Sequence, residues 1–573
     1  MSAPNTGQAL ATVLVDELAR CGLTDACLAP GSRSAPLALA FESHPGVRVH
    51  VRIDERSAAF LALGLARGSR RPVAVVSTSG TAAVNLHPAV VEADAARVGL
   101  LALTADRPPE LRGTGANQTI DQLGLYGSAV RWFADVGVAE ARAGAASYWR
   151  SLSARAWAQA RGAAGPAGPV HLNLAFREPL VGADGAGFDQ PLEGRPDGAP
   201  WTACLPGPRP PSDADLAWLT QRVQASPRGL LVAGDLDTDP EPLLELAAVA
   251  AWPVLAEPQS GARAGEAAVS TYDLLLRDDA FAAAHRPDLV VTVGRVGLSK
   301  ALLGRLAPDV TQVLVDRDGA WLDPPRAASR VVVADPSLVA DAVAKAIRPR
   351  EDSAWQRSWR HAEQRVRAAV DALLERDDAP SEVRAARDLA ALLPDGSALV
   401  VASSLPVRHL NVAMRPRRGL RVLANRGASG IDGFVSTAVG VALAHDGPTF
   451  ALAGDLSLLH DQNGLLAGPG EAPADLVVVV LNNDGGGVFS LLPQASLPAF
   501  ERLFATPHGV DLAALAAATG CGHRRLERAG DLPAALGAAR AARGIQVVEV
   551  RTERAATAAL LGRLARAASR ALG

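Results

Sequence analysis

The stretch TFALAGDLSLLHDQNGLLAGPGEAPADLVVVVLNNDGGG, residues 449–487, decides the fold. It holds two apolar runs of strand length, Thr449–Ala453 and Asp475–Leu481, with room for one helix between them. The first run ends in Gly454-Asp455 and the second in Asn482-Asn483. Such runs are typical of βα units in a parallel sheet, where ligands bind at the carboxyl ends of the strands. The stretch therefore predicts two buried parallel strands and a binding site where both end.

The same alternation of apolar runs and amphipathic segments continues along nearly the whole chain and predicts the α/β class. A Gly/Pro-dense run at 182–211 and a charged helical stretch at 352–376 divide it into three blocks of similar size. The predicted domains are therefore 1–185, 212–350 and 381–573, joined by a linker at 186–211 and a helical linker at 351–380.

Strands and helices are predicted from these runs. The predicted strands are Ala26–Ala29, Val47–Val51, Pro72–Ser77, Val98–Leu103, Gly229–Ala233, Leu289–Gly294, Gln312–Asp316, Arg330–Ala334, Ala398–Ala402, Arg421–Leu423, Thr449–Ala453, Asp475–Leu481 and Ile545–Val550. The helices predicted in the first block are Ala9–Arg20, Arg56–Arg67 and Gly80–Ala93.

Composition excludes several classes of protein. The 573 residues carry a formal net charge of −3 and no basic block, which argues against a nucleic-acid partner. The longest aliphatic run near the C-terminus, Leu476–Leu481, is far short of the about 20 residues that span a bilayer, so no membrane span is expected. The first residues, MSAPNTGQAL, lack the features of a secretion signal, and we expect a cytoplasmic protein. The four cysteines form no CxxC pair, so a zinc site is not expected.

Four further strand-to-helix loops carry unusual polar residues: Pro30–Ser34, Arg52–Arg56, Thr78–Thr81 and Thr104–Pro109. Arginines at such positions are able to bind carboxylates, and a carboxylate before an apolar helix is placed for burial. Taken singly, each loop is equally explained as a capped helix start with a solvated charge. The loops after Thr449–Ala453 and Asp475–Leu481 are more specific, because a carboxylate, an amide and backbone carbonyls at neighbouring strand ends suit Mg²⁺.

The spacing from Gly454-Asp455 to Asn482-Asn483 resembles the thiamine-diphosphate (ThDP) binding motif. With it, the chain resembles ThDP-dependent decarboxylases and carboligases, which have a pyrimidine-binding, a central and a diphosphate-binding domain. The resemblance implies three consecutive doubly wound parallel-sheet domains. It also implies a homodimer or homotetramer with active sites between subunits, where the first domain of one subunit faces the third domain of another.

Six loops narrow the resemblance to the menaquinone-pathway synthases that join 2-oxoglutarate to isochorismate. The matching segments are CLAPGSRSAPL, RIDERSAAFLALGLA, STSGTAAVNLHPAVVEA, LTADRPPELRGTGANQTI, ANRGASGIDGFVSTAVG and NNDGGGVFSLLP. The family's reaction decarboxylates 2-oxoglutarate to a cofactor-bound succinyl-semialdehyde anion, which adds to isochorismate in a 1,4 sense. The resemblance thus implies a ThDP-dependent transferase with Mg²⁺, or Mn²⁺, and two small anionic substrates.

The resemblance also assigns roles to individual residues. Glu55 and Gln118 are the implied catalytic residues, with Glu55 on the aminopyrimidine N1′. The implied metal ligands are Asp455, Asn483 and the Gly485 carbonyl, with Asn482 as the alternative to Asn483. The implied cofactor-binding residues are Glu55, Ser429, Gly430, Ile431, Gly454, Asp455, Leu456, Ser457, Asn483, Val488 and Phe489. The implied substrate-binding residues are Ser32, Arg33, Arg107, Gln118, Lys300, Ser404, Arg408, Arg426, Phe489 and Leu492.

Three other interpretations stay open at this point. A carboligase of the acetolactate synthase type would bind FAD in the central domain and would not need paired carboxylate clamps. A nicotinamide dehydrogenase is weaker, since the segment from Gly427 to Gly433 only approaches GxGxxG and has the wrong spacing. An inactive scaffold would be expected to have lost Glu55 or the pair Asp455 and Asn483, and all three are present.

Overall fold

The computed structural model describes residues 5–182, 188–306, 309–351, 353–376 and 378–573. These residues form two compact units. The first comprises the chain up to Pro206 together with Asn425–Asp446 and Ser457–Leu476. The second comprises Gly207–Ala424, Gly447–Leu456 and the chain from Val477 onward. Residues 183–187, at the predicted end of the first domain, lie outside the described residues, as do 352 and 377 in the predicted helical linker.

The first unit is built on a six-stranded sheet whose strands alternate with helices. Its N-terminal elements are α1 Thr6–Cys21, β1 Asp25–Leu28, α2 Ala35–Glu42, β2 Arg48–Val51, α3 Glu55–Ser69, β3 Val73–Ser77, α4 Thr81–Asn85, α5 His87–Ala96, β4 Leu100–Asp106, β5 Trp132–Val138, α6 Ala145–Ala160 and β6 Pro169–Ala175. The strand order is β2-β1-β3-β4-β6-β5 and neighbouring strands run parallel. Strands β1, β3, β4 and β6 are buried along their whole length, as expected where helices cover both faces of a parallel sheet.

The second unit begins with a five-stranded sheet. Its elements are α7 Asp213–Ala225, β7 Gly229–Ala233, α8 Glu241–Ala250, β8 Val254–Ala256, α9 Tyr272–Leu275, α10 Asp279–Ala284, β9 Leu289–Val293, α11 Lys300–Arg305, β10 Thr311–Val315, β11 Arg330–Val332, α12 Pro336–Ala346 and α13 Ala354–Leu374. The strand order is β11-β10-β9-β7-β8, with parallel neighbours. The described part of the predicted linker, 188–211, contains no helix or strand.

The C-terminal third contributes a second six-stranded sheet. Its elements are α14 Glu382–Leu392, β12 Ser397–Val401, α15 Leu405–Ala413, β13 Leu420–Leu423, α16 Phe434–Ala444, β14 Thr449–Gly454, α17 Asp455–His460, β15 Leu476–Asn482, α18 Leu512–Ala518, β16 Gly522–Leu526, α19 Leu532–Ala542, β17 Ile545–Arg551 and α20 Arg554–Leu572. The order β13-β12-β14-β15-β17-β16 repeats that of the first sheet. The prediction of three doubly wound parallel sheets is confirmed.

In each six-stranded sheet the direction of winding reverses near the middle, between β1 and β3 in the first sheet and between β12 and β14 in the last. Ligands of doubly wound sheets bind at such a switch point, outside the carboxyl ends of the strands. Gly31, after β1, lies against the loop after β3, because a Cβ on Gly31 would be 2.3 Å from the Thr78 Cβ. The loops at the switch point of the first sheet are therefore in direct contact.

Two glycines allow helix α3 to cross α16 closely within the first unit. A Cβ on Gly64 would lie 2.1 Å from the Thr437 carbonyl oxygen, and one on Gly440 would lie 2.3 Å from the Leu61 carbonyl oxygen. Only a residue without a Cβ fits at either position. This crossing holds α16, and the loop that precedes it, against the helix that begins at Glu55.

The structure differs from the predicted elements in a few places. The single helix predicted at Gly80–Ala93 is broken at Leu86 into α4 and α5, because Pro88 has no amide hydrogen to continue the helical ladder. Strands β5 and β6, each seven residues long, and the shorter β8 and β16 are additional to those predicted. Among the described residues, no helix combines the length and apolar character needed to cross a bilayer.

Candidate functional site

Asp455 and Asn483 meet at the carboxyl ends of β14 and β15 in the second unit. The Asp455 carboxylate is buried, and its Oδ2 accepts hydrogen bonds from the backbone N–H of Asn483 at 3.1 Å and of Gly485 at 2.9 Å. Its Oδ1 accepts from the backbone N–H of Leu456. Burial raises the pKa of Asp455 above its usual range, outweighing these donors. A nearby cation would offset that cost of burying the charge.

Asn483 has one polar atom without a partner. Its backbone N–H binds Asp455, its carbonyl accepts from Arg554 at 3.1 Å, and its Nδ2 donates to Glu382 at 2.9 Å. The side-chain oxygen Oδ1 is buried and has no hydrogen-bond partner in the part of the chain that the structure describes. A buried acceptor without a donor costs about 1–3 kcal/mol, and binding a cation would remove that cost.

Asn482, the alternative ligand, is engaged elsewhere. Its Nδ2 donates to Glu549 at 2.6 Å, and its Oδ1 accepts from the backbone N–H of Asp484 at 3.2 Å. The two asparagines therefore differ in what their side-chain oxygens are able to bind. The geometry favours Asn483 as a cation ligand over Asn482.

The glycines after β14 and β15 leave room for a ligand at the edge of the sheet where both strands end. A Cβ on Gly454 would meet no described atom within 4 Å, so this turn is open on that side. The Gly485 carbonyl accepts one hydrogen bond, from Gly487 N–H at 2.9 Å, and keeps a second lone pair. No three His, Cys, Asp or Glu side chains converge as a metal site in the described ranges. The donor set is therefore one carboxylate, one amide and one carbonyl, which suits Mg²⁺ completed by phosphate and water.

The buried carboxylate of Glu382, which is not among the predicted site residues, accepts a hydrogen bond from the Asn483 side chain. Glu382, at the start of α14, binds His409 Nε2 at 2.9 Å in addition to Asn483. Its Oε1 also accepts from the hydroxyls of Thr552 and Thr557. Burial raises the pKa of Glu382, but these donors lower it more, and the pKa lies below the usual range. In the sequence, a Glu in the first turn of a helix looks like a simple complement to the helix dipole.

A second missed residue is His508. Its Nε2 lies 3.4 Å from Asp455 Oδ2, and its backbone N–H donates to Asp484 Oδ1 at 3.0 Å. Twenty-five residues separate His508 from Asn483 and no motif surrounds it, so nothing in the sequence points to this contact.

The predicted residues Ser404 and Arg408 lie at the start of α15 in the same unit. Ser404 has a positive φ of 77°, and its carbonyl accepts from the Arg408 guanidinium. A Cβ on Gly487 would lie 3.3 Å from Leu405 Cδ1, so α15 begins beside the turn that carries the predicted apolar wall. In that wall Val488, Phe489 and Leu492 are all half-buried. Lys300, the first residue of α11, is exposed and has no partner among the described residues.

In the first unit, Glu55 is the first residue of α3. Asp54 caps the helix by accepting from Arg56 N–H at 2.8 Å, and its other oxygen accepts from Asn463 Nδ2 at 2.9 Å. Glu55 therefore does not serve as the cap. Its half-buried carboxylate has no hydrogen-bond or ion-pair partner in the part of the chain that the structure describes. It is available to a ligand.

The loop before α16 carries Arg426, Ser429, Gly430 and Ile431, and a buried carboxylate holds it. Glu92 of α5 accepts from the backbone N–H groups of Gly427 at 2.8 Å, Ala428 at 2.7 Å and Ser429 at 3.3 Å. Burial raises the pKa of Glu92 despite these donors. Ser429 has a positive φ of 66° and is exposed, while Gly430 and Ile431 are half-buried. Glu92 was not among the predicted site residues.

Arg33 and Arg107 place two guanidinium groups at the switch point of the first sheet. Arg33 is buried and donates to the Phe176 carbonyl at 3.0 Å and to Glu178 at 3.2 Å, while its Nε has no partner within the described ranges. Arg107 donates to Ser79 Oγ. Burial, and then the positive charge of Arg33, lower the pKa of Arg107. Two neighbouring cations at a strand end favour an anionic ligand.

The predicted residues Ser32 and Gln118 lie on the loops around these arginines. Both are exposed. Gln118 has a positive φ of 51°, and its backbone packs beside Gly80, where a Cβ would be 3.3 Å from the Gln118 carbonyl oxygen. Gln122 fixes the same turn by accepting from Gly80 N–H at 2.9 Å.

Family comparisons agree with this geometry. Residues 8–125 match the thiamine pyrophosphate enzyme N-terminal TPP binding domain, and residues 407–550 match the corresponding C-terminal TPP binding domain. Residues 200–401 match the middle domain of thiamine pyrophosphate enzymes. The three matches follow the order of the three sheets, although β5 and β6 lie outside them and β12 falls in the middle-domain match. Thiamine pyrophosphate is another name for ThDP.

Curated relatives are similar over almost the whole chain. A 2-succinyl-5-enolpyruvyl-6-hydroxy-3-cyclohexene-1-carboxylate (SEPHCHC) synthase of Thermobifida fusca (strain YX) is 56% identical over 97% of this chain and 98% of its own length. Synthases of the same name from Saccharopolyspora erythraea and Haloarcula marismortui are 45% and 42% identical over 96% and 89% of this chain, and over the same shares of their own lengths. Identity of this extent shows that the chain belongs to the SEPHCHC synthase family of thiamine pyrophosphate enzymes.

Proposed function

We propose that this chain is a ThDP-dependent SEPHCHC synthase that condenses 2-oxoglutarate with isochorismate and releases CO₂, a step of menaquinone biosynthesis. The observation that carries the proposal is the whole-length identity to synthases of that name. The neighbouring guanidiniums of Arg33 and Arg107 support it, because both substrates are anions.

Asp455, Asn483 and the Gly485 carbonyl are proposed to hold Mg²⁺, or Mn²⁺, on the diphosphate of the cofactor. The partnerless Asn483 Oδ1 and the buried Asp455 supply the support for this site. Gly454, Leu456 and Ser457 are proposed to accommodate the diphosphate at the turn that is open beside Gly454. ThDP, when bound, supplies an electron sink for decarboxylation and a nucleophilic carbon for ligation.

Glu55 is the proposed catalytic carboxylate. Its role is to hold a proton at N1′ of the aminopyrimidine, and its lack of any described partner supports that role. Ser429, Gly430 and Ile431 are proposed to line the aminopyrimidine, with Val488 and Phe489 supporting the cofactor and excluding water. Gln118 is the second proposed catalytic residue.

The proposed substrate contacts fall into two groups. Ser404 and Arg408 are proposed to hold the moiety derived from 2-oxoglutarate, and Phe489 and Leu492 form part of the apolar wall beside it. The contacts to isochorismate and the succinyl group are Ser32, Arg33, Arg107, Gln118, Lys300 and Arg426. A charged hydrogen bond from one of the arginines contributes about 1.5–3 kcal/mol.

We further propose a homodimer or homotetramer in which Glu55 of one subunit and Asp455 of another belong to the same active site. Equilibrium sedimentation of the cofactor-loaded protein tests the assembly. A complementation assay tests the shared site, because mixing inactive Glu55→Gln and Asp455→Ala subunits would restore up to about a quarter of the activity if mixed dimers form at random.

The first experiment follows isochorismate absorbance with ThDP, Mg²⁺ and 2-oxoglutarate, for the wild type and Glu55→Gln. Loss of absorbance is expected only when all components are present. The rate of this loss should be about 10²–10⁴-fold lower in the variant. Pyruvate in place of 2-oxoglutarate tests an acetolactate synthase type of reaction. A wild type that binds ThDP but leaves isochorismate unchanged would contradict the proposed substrates.

A further inference from the structure

We infer that Glu382 is a positioning residue that orients Asn483 toward the metal ion, an inference that rests on the proposed function. The carboxylate is 1% exposed and lies behind Asn483, whereas Asp455 binds the same asparagine through its backbone. Glu382 is not among the residues to which the resemblance assigns a role.

The orientation of the Asn483 side chain follows from which of its amide atoms is hydrogen-bonded to Glu382. The Asn483 amide group has two ends, and Glu382 Oε1 accepts from the Nδ2 end at 2.9 Å. A carboxylate only accepts hydrogen bonds, so it cannot bind the Oδ1 end. The amide is thereby prevented from flipping, and Oδ1 is left without a partner among the described side chains and backbone groups. Oxygen, and not nitrogen, is presented to a cation.

Glu382 is itself fixed by three other side chains. Thr557 and Thr552 donate to Oε1 at 2.8 and 3.1 Å, and His409 binds Oε2 at 2.9 Å. His409 is fully buried. With both oxygens engaged, the carboxylate has no freedom to rotate away from Asn483. Partners of this kind behind a metal ligand change metal affinity by about 10–100-fold when removed.

Glu549 supplies a matched control in the same sheet. It is a buried carboxylate that accepts from Asn482 Nδ2 at 2.6 Å and binds His523 at 3.0 Å. Each pair joins a buried glutamate to an asparagine, and the two asparagines are adjacent in the chain. Of these two asparagines, only Asn483 has a side-chain oxygen without a partner among the described residues.

The test measures the Mg²⁺ concentration that half-saturates ThDP binding by isothermal titration calorimetry, without turnover. Glu382→Ala is expected to raise it about 10–100-fold, and Glu549→Ala should leave it at the wild-type value. Glu382→Gln, whose carbonyl is able to serve Asn483 or His409 but not both, should raise it several-fold. Circular dichroism melting of each apo-protein identifies variants that do not fold.

A double-mutant comparison separates positioning from general destabilisation. In an Asn483→Ala background, Glu382→Ala should cause no further rise, because the group that it orients is gone. An equal rise in both backgrounds, or an equal rise from Glu549→Ala, would overturn the inference. If Glu382→Ala does not fold, a wild-type value for Glu382→Gln would overturn it instead. A wild type that binds ThDP without any metal would contradict the proposed metal site, and the role of Glu382 with it.

Discussion

The backbone N–H of Asn483 donates to Asp455 Oδ2 at 3.1 Å, although 28 residues separate the two in the chain. The contact forms because β14 and β15 are neighbours in a parallel sheet and end at the same edge. Asp455 also accepts from Gly485, so one carboxylate organises the whole turn after β15. The buried Asp455 carboxylate thus organises the backbone of the proposed cation site.

Replacing the two asparagines separately should produce opposite effects. Asn482→Ala removes two side-chain hydrogen bonds and leaves Glu549 with one partner fewer, so it should destabilise the fold by about 1–3 kcal/mol with little change in Mg²⁺ requirement. Asn483→Ala should leave the melting temperature closer to wild type and weaken metal-dependent ThDP binding. Thermal melting and calorimetry of both variants check this. If Asn482→Ala weakened metal-dependent ThDP binding more than Asn483→Ala, Asn482 would be the metal ligand.

Two glycines of the site should respond differently to an added methyl group. Gly454→Ala meets no described atom within 4 Å, so the fold should keep its stability while ThDP affinity falls at least about tenfold through contact with the diphosphate. Gly485→Ala adds a Cβ at φ +136°, 2.1 Å from the Ala505 carbonyl oxygen, and should destabilise the protein by about 1–3 kcal/mol or more. Melting curves and ThDP titrations distinguish the two. Unchanged ThDP binding by Gly454→Ala would mean that the diphosphate does not approach this turn.

Arg33 and Arg107 should each contribute to isochorismate binding. Substitution of either by Ala removes a charged hydrogen bond and should lower kcat/KM for isochorismate by one to two orders of magnitude, corresponding to about 1.5–3 kcal/mol. Arg177, which pairs with Glu110 on the surface, is the control, and Arg177→Ala should leave the kinetics unchanged. Steady-state kinetics with each substrate varied in turn provide the measurement. If these substitutions lowered kcat/KM for 2-oxoglutarate and left the value for isochorismate unchanged, the assignment of both arginines to isochorismate would be wrong.

His171 should make the stability of the first unit depend on pH. Burial lowers the pKa of His171 to about 4, and the Thr104 hydroxyl lies 2.7 Å from its Nε2. In the unfolded chain, the same histidine takes up its proton near pH 6.5. The neutral His171 is therefore compatible with full stability at higher pH, and stability is lost as the pH falls from about 6.5 toward 4, where protonation favours the unfolded chain. Between pH 7.5 and 5.0 the wild type should lose about 2 kcal/mol more than His171→Gln in urea unfolding. Parallel pH profiles for the two proteins would refute this.

Much of the fold is predictable because buried parallel strands are continuous apolar runs. The strands at Gly229–Ala233, Thr449–Gly454 and Leu476–Asn482 agree with their predicted positions to within one residue. Strand β16, GHRRL, is polar and half-exposed, and therefore has no such signal. The break at Leu86 depends on one proline in an otherwise helical pattern.

The class of fold, the motif that pairs Asp455 with the asparagines, and the residues at each strand end are readable from the sequence, because they follow from local apolar runs and from spacing. Only packing in three dimensions leaves the Asn483 oxygen without a partner among the described residues and brings Glu382 and His508 against Asn483 and Asp455. The same holds for Glu92, which binds the loop before α16. Those contacts join residues 53 to 101 positions apart, or more than 300 positions in the case of Glu92 and Gly427. Packing of separate elements creates them, and no periodicity or spacing in the chain encodes which buried side chains will meet.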